Sequence, residues 1–396
     1  MLKKTKFPIF GSAEEKLVLR VLKSGKWWRG GTLKEMQDSI TGQFEREYAK
    51  FNKVKYCLAV SNGTTALEVA LKAAGIGLGD EVLVPSISFV VTATAPLLVN
   101  ATPIFVDIDP ETYQMDPDDI ERKITKKTKA ICLVHYGGYP ADMDRIMEIA
   151  RKHKLKVIED CAHAHGSEWR GRKVGSIGNA GTFSFQMSKS ITSGEGGAVI
   201  TNSKEMFYMC YSYHHIGRLE HKGFYDFYLP AWNYRITEFQ GAILLCQLRR
   251  YKNQLEIKHL NGEYLANKLL NIRGIKPLKR DPRITKRGYY FFIMRYDSKY
   301  FNNLPREKFI EALRKEGIPC GHAYGKPIYK YPLFQERNFD KKICPQDYKK
   351  VKCPNAEYAC ENEQVSLSHT LLLGSKKDID SIVDAIVRIQ KRSSRI

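Results

Sequence analysis

Between about residues 55 and 205 the chain repeats one pattern, a short and almost wholly apolar run followed by a longer stretch with helical character. The runs are Cys57 to Val60, Glu81 to Val84, Ile104 to Val106, Ala130 to Val134, Lys156 to Ile158, Gly181 to Phe185 and Ala198 to Thr201. Strands that are apolar throughout are buried on both faces, as parallel strands under crossover helices are. The alternation predicts an α/β domain on a mainly parallel sheet, with its chemistry at the carboxyl ends of the strands. The most apolar stretch, Val82 to Val106, reads as strand, loop, helix and strand. Pro85, Pro96, Pro103 and Asn100 interrupt it too often for a membrane span.

Further along, apolar positions from Ile236 to Leu270 recur at helical spacing without a proline, which predicts one or two long helices leading out of that domain. Strand-like Tyr289 to Met294, helical Pro305 to Glu316 and helical Lys377 to Lys391 then make a smaller α+β unit. The expected division is a large α/β domain over residues 1–250 and a small C-terminal α+β domain over 251–396.

Composition narrows the class. A chain of 396 residues, 43% of them hydrophobic, can bury a large core. Its nine cysteines form no C-x-x-C pair and no metal-ligand spacing with histidine, so free thiols in a reducing compartment and no metal site are expected. Met1 to Lys6 is basic but no apolar segment follows, which predicts a cytoplasmic protein without a signal peptide. The net charge of +21 raises a remote alternative, a non-catalytic nucleic-acid-binding protein. Against it, basic residues are spread along the chain, densest from Lys341 to Lys352, and there is no zinc finger, RNP signature or basic heptad. A basic surface equally favours an anionic substrate such as a nucleotide-linked sugar.

Four segments carry candidate chemistry. Ser184-Phe185-Gln186-Met187-Ser188-Lys189, followed by Thr192-Ser193-Gly194-Glu195-Gly196-Gly197, strands a lysine between a strand end and a glycine-rich return. Desolvation there can hold an amine unprotonated and nucleophilic, although a lone loop lysine is ordinarily a solvated charge. Glu159-Asp160-Cys161-Ala162-His163 closes another strand; Asp160 can keep a pyridine nitrogen protonated, or both carboxylates can simply polarise the strand end. His163 is either a ligand of a phenolic oxygen or a core histidine. Val60 to Leu67 turns at Gly63 into a helix whose start, with Thr64 and Thr65, suits a phosphate or an ordinary cap. Phe89, in the loop after Pro85, can stack on a planar ring or fill core.

These segments, in this order, resemble the DegT/DnrJ/EryC1/StrS family of fold-type-I, pyridoxal-phosphate (PLP) sugar aminotransferases. The likeness extends over nearly the whole chain. It includes Gly79-Asp80-Glu81-Val82, Val106-Asp107-Ile108-Asp109-Pro110, His135-Tyr136-Gly137, Pro140-Ala141-Asp142-Met143-Asp144, Gly194-Glu195-Gly196-Gly197 and the segment Trp232-Asn233-Tyr234-Arg235-Ile236-Thr237-Glu238-Phe239-Gln240. The resemblance implies that Lys189 is the Schiff-base lysine and proton shuttle, that Asp160 pairs with the pyridine nitrogen, that Phe89 stacks on the ring and that His163 lies by the phenolic oxygen. It implies Thr64, Thr65 and Ser184 at the phosphate and Asn233 reaching the phosphate of a neighbouring subunit, hence a homodimer with shared sites. It also places the first thirty or so residues near the small domain.

Family members that are dehydratases carry histidine where this chain has Lys189, so the resemblance implies transamination. Glutamate or glutamine is the implied donor and a keto sugar, commonly nucleotide-linked, the implied acceptor in amino-sugar biosynthesis. Ser184-Phe185-Gln186 and Trp232-Asn233-Tyr234-Arg235 look closer to the scyllo-inosose aminotransferase and aminohydroxybenzoate synthase branch, which leaves a keto-cyclitol acceptor or an aromatising reaction open. Trp27, Trp28, Arg29, His214, His215, Arg218 and the segment His322 to Tyr331 are substrate-side candidates.

Overall fold

Each of the seven apolar runs forms a strand, and all seven share one sheet. The computed structural model describes residues 7–220, 222–223 and 225–396; the expectation about Met1 to Lys6 lies outside them. The strands are β1 (Tyr56–Val60), β2 (Glu81–Pro85), β3 (Thr102–Val106), β4 (Thr128–Val134) and β5 (Lys156–Asp160). A short hairpin, β6 (Glu168–Trp169) and β7 (Arg172–Lys173), precedes β8 (Ala180–Ser184) and β9 (Gly197–Thr201). The sheet order is β1-β9-β8-β5-β4-β2-β3; β8, β5, β4, β2 and β3 run parallel, while β9 is antiparallel to both of its neighbours.

The two-sided burial that the pattern predicts is visible in β4. Ile131 and Leu133 pack with Met143, Ile146 and Ile149 of the Met143–His153 helix, whereas Ala130, Cys132 and Val134 pack with Leu67 and Ala70 of the Gly63–Ala73 helix. Alternate residues point to opposite faces, so the part of a strand held between two helical layers is apolar on both. The stretch from Val82 to Val106 is indeed strand, loop, helix (Val91–Leu98) and strand. Among the described residues no helix is long and apolar enough to cross a membrane, and all nine cysteines are free thiols.

A single 32-residue helix, Glu238–Leu269, follows; Thr237 and Gln240 cap its start reciprocally. Residue 250, where the sequence suggests a boundary, falls inside it. Its first half, through Leu244 and Leu248, packs with Phe183 and Ile200 of the large sheet. Its end, through Leu265 and Leu269, packs on a second, antiparallel sheet. That sheet holds β10 (Ile275–Pro277), β12 (Phe291–Tyr296), β13 (Cys320–Gly321) and β14 (Gln364–Ser368) in the order β10-β12-β14-β13, whereas β11 (Ile284–Lys286) pairs with β6. Helices Arg306–Lys315 and Lys376–Arg392 cover it. The strand expected from Tyr289 begins at Phe291, since Tyr289 itself turns with φ 42°.

The segment between β13 and β14 returns to the large lobe, whereas the N-terminal helix, expected near the small domain, packs through Leu17 with the large-lobe cluster of Leu244 and Leu248. Ile328, Phe334, Tyr348 and Cys353 pack back into the core of the seven-stranded sheet, and the Tyr348 hydroxyl donates to the Pro103 carbonyl at 2.8 Å. The N-terminal helix Ser12–Ser24 lies along the long helix, where Glu14 accepts from Gln247 Nε2 (2.9 Å) and Arg250 Nη2 (3.0 Å).

Candidate active site

The carboxyl ends of β4, β5 and β8 open into a cleft of about 630 Å³, closed on the far side by Tyr290, Phe291 and Tyr324 from beyond the long helix. Of the eight residues named as cofactor ligands, Thr64, Phe89, Asp160, His163, Ser184 and Lys189 line this cleft, although 125 positions separate the first from the last in sequence. Thr65 and Asn233 do not.

Lys189 sits on the turn after β8 and is 9% exposed. Its backbone N–H donates to the Gln186 carbonyl at 2.8 Å, and its Nζ lies 4.2 Å from the centroid of the Tyr290 ring. Burial pulls its amine down to about 8, while the charge of Asp160 pushes the other way. A substantial share of unprotonated amine is therefore present near neutral pH, which a nucleophilic lysine requires.

Asp160 ends β5. Its Oδ2 accepts from the Thr92 hydroxyl at 3.0 Å and its Oδ1 from the Ala162 amide at 3.1 Å. Burial raises its pKa above the usual carboxylate range despite these bonds, so a cationic partner in the cleft would be stabilised beside it. The residue before it has a different fate. Glu159 is fully buried on the opposite side; it accepts from His135 Nε2 (3.0 Å) and from the amides of Gly175 (2.7 Å), Ile177 (2.8 Å) and Gly178 (2.6 Å). His135 Nδ1 in turn accepts from the Ala141 amide at 3.0 Å. His135, Glu159 and Cys161 could be grouped as metal ligands by distance, but the donor atoms of the first two are spent on each other and on the backbone.

His163 stacks on Tyr290 (centroids 4.3 Å apart, 17° between planes), and its Nε2 shares a 3.2 Å hydrogen bond with the Tyr324 hydroxyl. Its Nδ1 has no partner among the described residues. Burial, then the charge of Lys189, holds the ring neutral well below the usual histidine range. Phe89 lies 55% exposed at the rim, its ring 6.3 Å from that of Tyr324.

The Gly63–Ala73 helix points its first turn at the cleft. Asn62 caps it by accepting from the Thr65 amide at 2.9 Å, which leaves the amides of Gly63 and Thr64 at the opening with no intrahelical acceptor. The Thr65 hydroxyl is spent locally: it donates to the Asn62 carbonyl (2.9 Å) and accepts from the Asn62 amide (3.2 Å). That is why it leaves the cleft lining to Thr64 and Ser184. Backbone packing here is tight. A Cβ on Gly63 would stand 2.7 Å from Ser184 Cβ, and one on Gly197 would stand 2.3 Å from the Asn62 carbonyl oxygen.

Several substrate-side expectations are corrected. Arg29 is 2% exposed and forms a bidentate pair with Glu45 (2.7 and 2.6 Å), with Nη1 at 3.2 Å from His214 Nε2. His214 and His215 are fully buried. These are interior groups. Trp27, Trp28 and Trp232 are exposed away from the cleft, Trp28 lying under the Arg235 guanidinium at 5.3 Å, and Asn233 is bridged to His215. From the segment 322–331, Tyr324 does line the cleft. Tyr290 lines it too, although a strand-like aromatic run gives no sign of which ring turns inward. Glu195, from the glycine-rich return, also lines the cleft.

The DegT/DnrJ/EryC1/StrS aminotransferase family matches residues 8–387. An L-glutamine:2-deoxy-scyllo-inosose aminotransferase of Streptoalloteichus tenebrarius is 36% identical, over 95% of this chain and 92% of its own. A 3-amino-5-hydroxybenzoate synthase of Amycolatopsis mediterranei is 32% identical, over 96% of this chain and 97% of its own. Among solved structures, that of a 3-amino-5-hydroxybenzoic acid synthase superposes with a TM-score of 0.88 at 30% identity, covering 99% of both chains.

Proposed function

Given that the chain belongs to the DegT/DnrJ/EryC1/StrS aminotransferase family, we propose that it is a PLP enzyme moving an amino group from glutamine to the ketone of a keto-cyclitol. The observation that carries this reading is Lys189, a desolvated amine on the turn after β8 in one cleft with a buried Asp160. Glutamine and a scyllo-inosose are named for several relatives, which supports donor and acceptor class.

The residues fit the cofactor in three respects. An orphaned Nδ1 of His163 offers a bond, the buried Asp160 carboxylate in the cleft lining offers a counter-charge for a cationic ring nitrogen, and close backbone packing at Gly63 and Gly197 sets bare amides at a helix start for a phosphate. Bound there, PLP supplies an aldehyde for an amine and a ring that accepts the electron pair left when a C–H bond breaks. In this reading Asp160 holds the proton on the ring nitrogen, Phe89 stacks on the ring, and His163 lies by its phenolic oxygen. Thr64, Ser184 and the first amides of the Gly63–Ala73 helix hold the phosphate. Lys189 would hold the cofactor's aldehyde carbon and its Nζ would carry the proton that leaves the substrate carbon, while Tyr290 and Tyr324 would wall off water. Asn233 reaches the phosphate bound in a neighbouring subunit, which makes the active unit a homodimer.

A second reading, a nucleotide-linked keto sugar as acceptor, is favoured by the net charge of +21. The test is the visible spectrum of the PLP-loaded protein beside that of Lys189→Ala, followed by mass spectrometry of products from glutamine or glutamate with scyllo-inosose, 2-deoxy-scyllo-inosose or a nucleotide-linked keto hexose. The expected results are a visible band lost in the variant and an aminocyclitol made from glutamine. A band that survives the substitution overturns the assignment of Lys189; amination of the nucleotide-linked compound alone overturns the cyclitol reading.

A further inference from the structure

We infer that Lys258 is a positioning residue that fixes where the Lys189 amine stands, by tying together the two walls of the cleft that meet at it. The inference rests on the reading of Lys189 given above. Lys258 lies on the long helix Glu238–Leu269, 1% exposed, with the Tyr251 ring centroid 4.9 Å from its Nζ. Its Nζ donates to the Ser190 hydroxyl at 2.8 Å and to the Tyr289 carbonyl at 3.3 Å. Ser190 directly follows Lys189, and Tyr289 directly precedes Tyr290. Those neighbours are themselves in contact: the Lys189 Nζ sits 4.2 Å from the Tyr290 ring centroid, and the Tyr290 hydroxyl shares a 2.8 Å hydrogen bond with Ser188 Oγ. One buried amine thus holds, at one residue's remove, both the nucleophile and the ring it rests against. His369 adds a tie from the small lobe, its Nε2 lying 3.2 Å from the Ser188 carbonyl.

Packing does not explain the residue. Among the described residues no carboxylate lies within 4.0 Å of Lys258 Nζ, and an ammonium buried without a counter-ion costs several kcal/mol even after relaxation. Burial accordingly pulls its amine down to about 7. A methionine would fill the same space without that cost. What methionine lacks is directed donors, and the turn carrying Lys189 lies beyond the last residue of β8, where ladder bonds no longer hold it.

The test compares Lys258→Met, Ser190→Ala and the parent by thermal melting, by the rate at which the visible band appears when PLP is added to the cofactor-free protein, and by kcat and KM for glutamine. Misplacing a reacting group by an ångström costs roughly 100-fold, so Lys258→Met is expected to slow band formation and lower kcat by about 10- to 100-fold, with KM unchanged and melting no lower. Ser190→Ala, which removes one of the two ties, is expected to fall between. A Lys258→Met protein that melts lower yet captures PLP at the parental rate overturns the inference and makes Lys258 a structural residue. A band that persists in Lys189→Ala overturns it too, through the reading it rests on, and that outcome is told apart by being independent of Lys258.

Discussion

Glu159 and Asp160, adjacent at the end of β5, point to opposite faces of the sheet: Glu159 is buried against His135 and three backbone amides, and Asp160 faces the cleft under the Thr92 hydroxyl. Successive strand residues must diverge in this way, and here the divergence separates architecture from chemistry.

The two carboxylates should therefore fail differently. Glu159→Ala strands a buried imidazole donor and three amides, each worth roughly 1–3 kcal/mol when unsatisfied, and should unfold at much lower denaturant concentration. Asp160→Asn should fold normally, bind PLP and lose about 10²- to 10⁴-fold in kcat, the size of a lost acid–base contribution. Urea titration and steady-state kinetics on the two proteins check both statements.

Capture of PLP by Lys189 should be governed by its unprotonated amine. With the amine pulled down to about 8 by burial, the unprotonated fraction rises through the neutral range and levels above that value. In stopped-flow mixing without donor, the rate of band formation should rise about tenfold per pH unit below the midpoint and flatten above it. His163 and His165, both held neutral by burial, should add no step of their own. A midpoint near the ordinary lysine value would contradict the desolvated site.

Arg29, a substrate-side candidate on sequence grounds, should prove structural. Arg29→Met leaves Glu45 buried without its partner and should cost about 3–5 kcal/mol in denaturation, with kcat/KM per folded molecule little changed. Burial already raises the pKa of Glu45, with Arg29 opposing. A raised carboxyl stabilises the fold only while protonated, so the loss in the variant should be smaller at acid pH and grow as pH rises through the folded-state pKa.

Gly197, the first residue of β9, lets the Asn62 carbonyl pass where a methyl would sit at 2.3 Å. Gly197→Ala should push the start of the Gly63–Ala73 helix away from the cleft. Strain of about 1–3 kcal/mol placed there corresponds to roughly 10- to 100-fold weaker PLP binding, which equilibrium titration of the cofactor-free protein would measure.

Much of this molecule was legible in the linear chain. Almost wholly apolar runs pointed to a mainly parallel sheet covered on both faces, and the strand boundaries fell within a residue or two of those read from the pattern. Lys189, Asp160, Thr64, Ser184, Phe89 and His163 stand out as candidates because each lies at or soon after a strand end, a local feature, and the six line one cleft. What the pattern could not give was face and partner. In β5, burial on both sides erases the alternation that would have told Glu159 from Asp160. Thr65 and Thr64 are equivalent as letters until the cap of the helix claims one hydroxyl. Arg29 is a substrate-side candidate in the sequence, and the fold closes Glu45 and His214 around it. Tyr290 meets Ser188 across 102 positions and Lys258 meets Ser190 across 68. Local sequence sets the periodicity of burial, and hence the elements; which distant side chains meet is decided only when those elements pack, because a contact between them depends on the register and the turn of both at once.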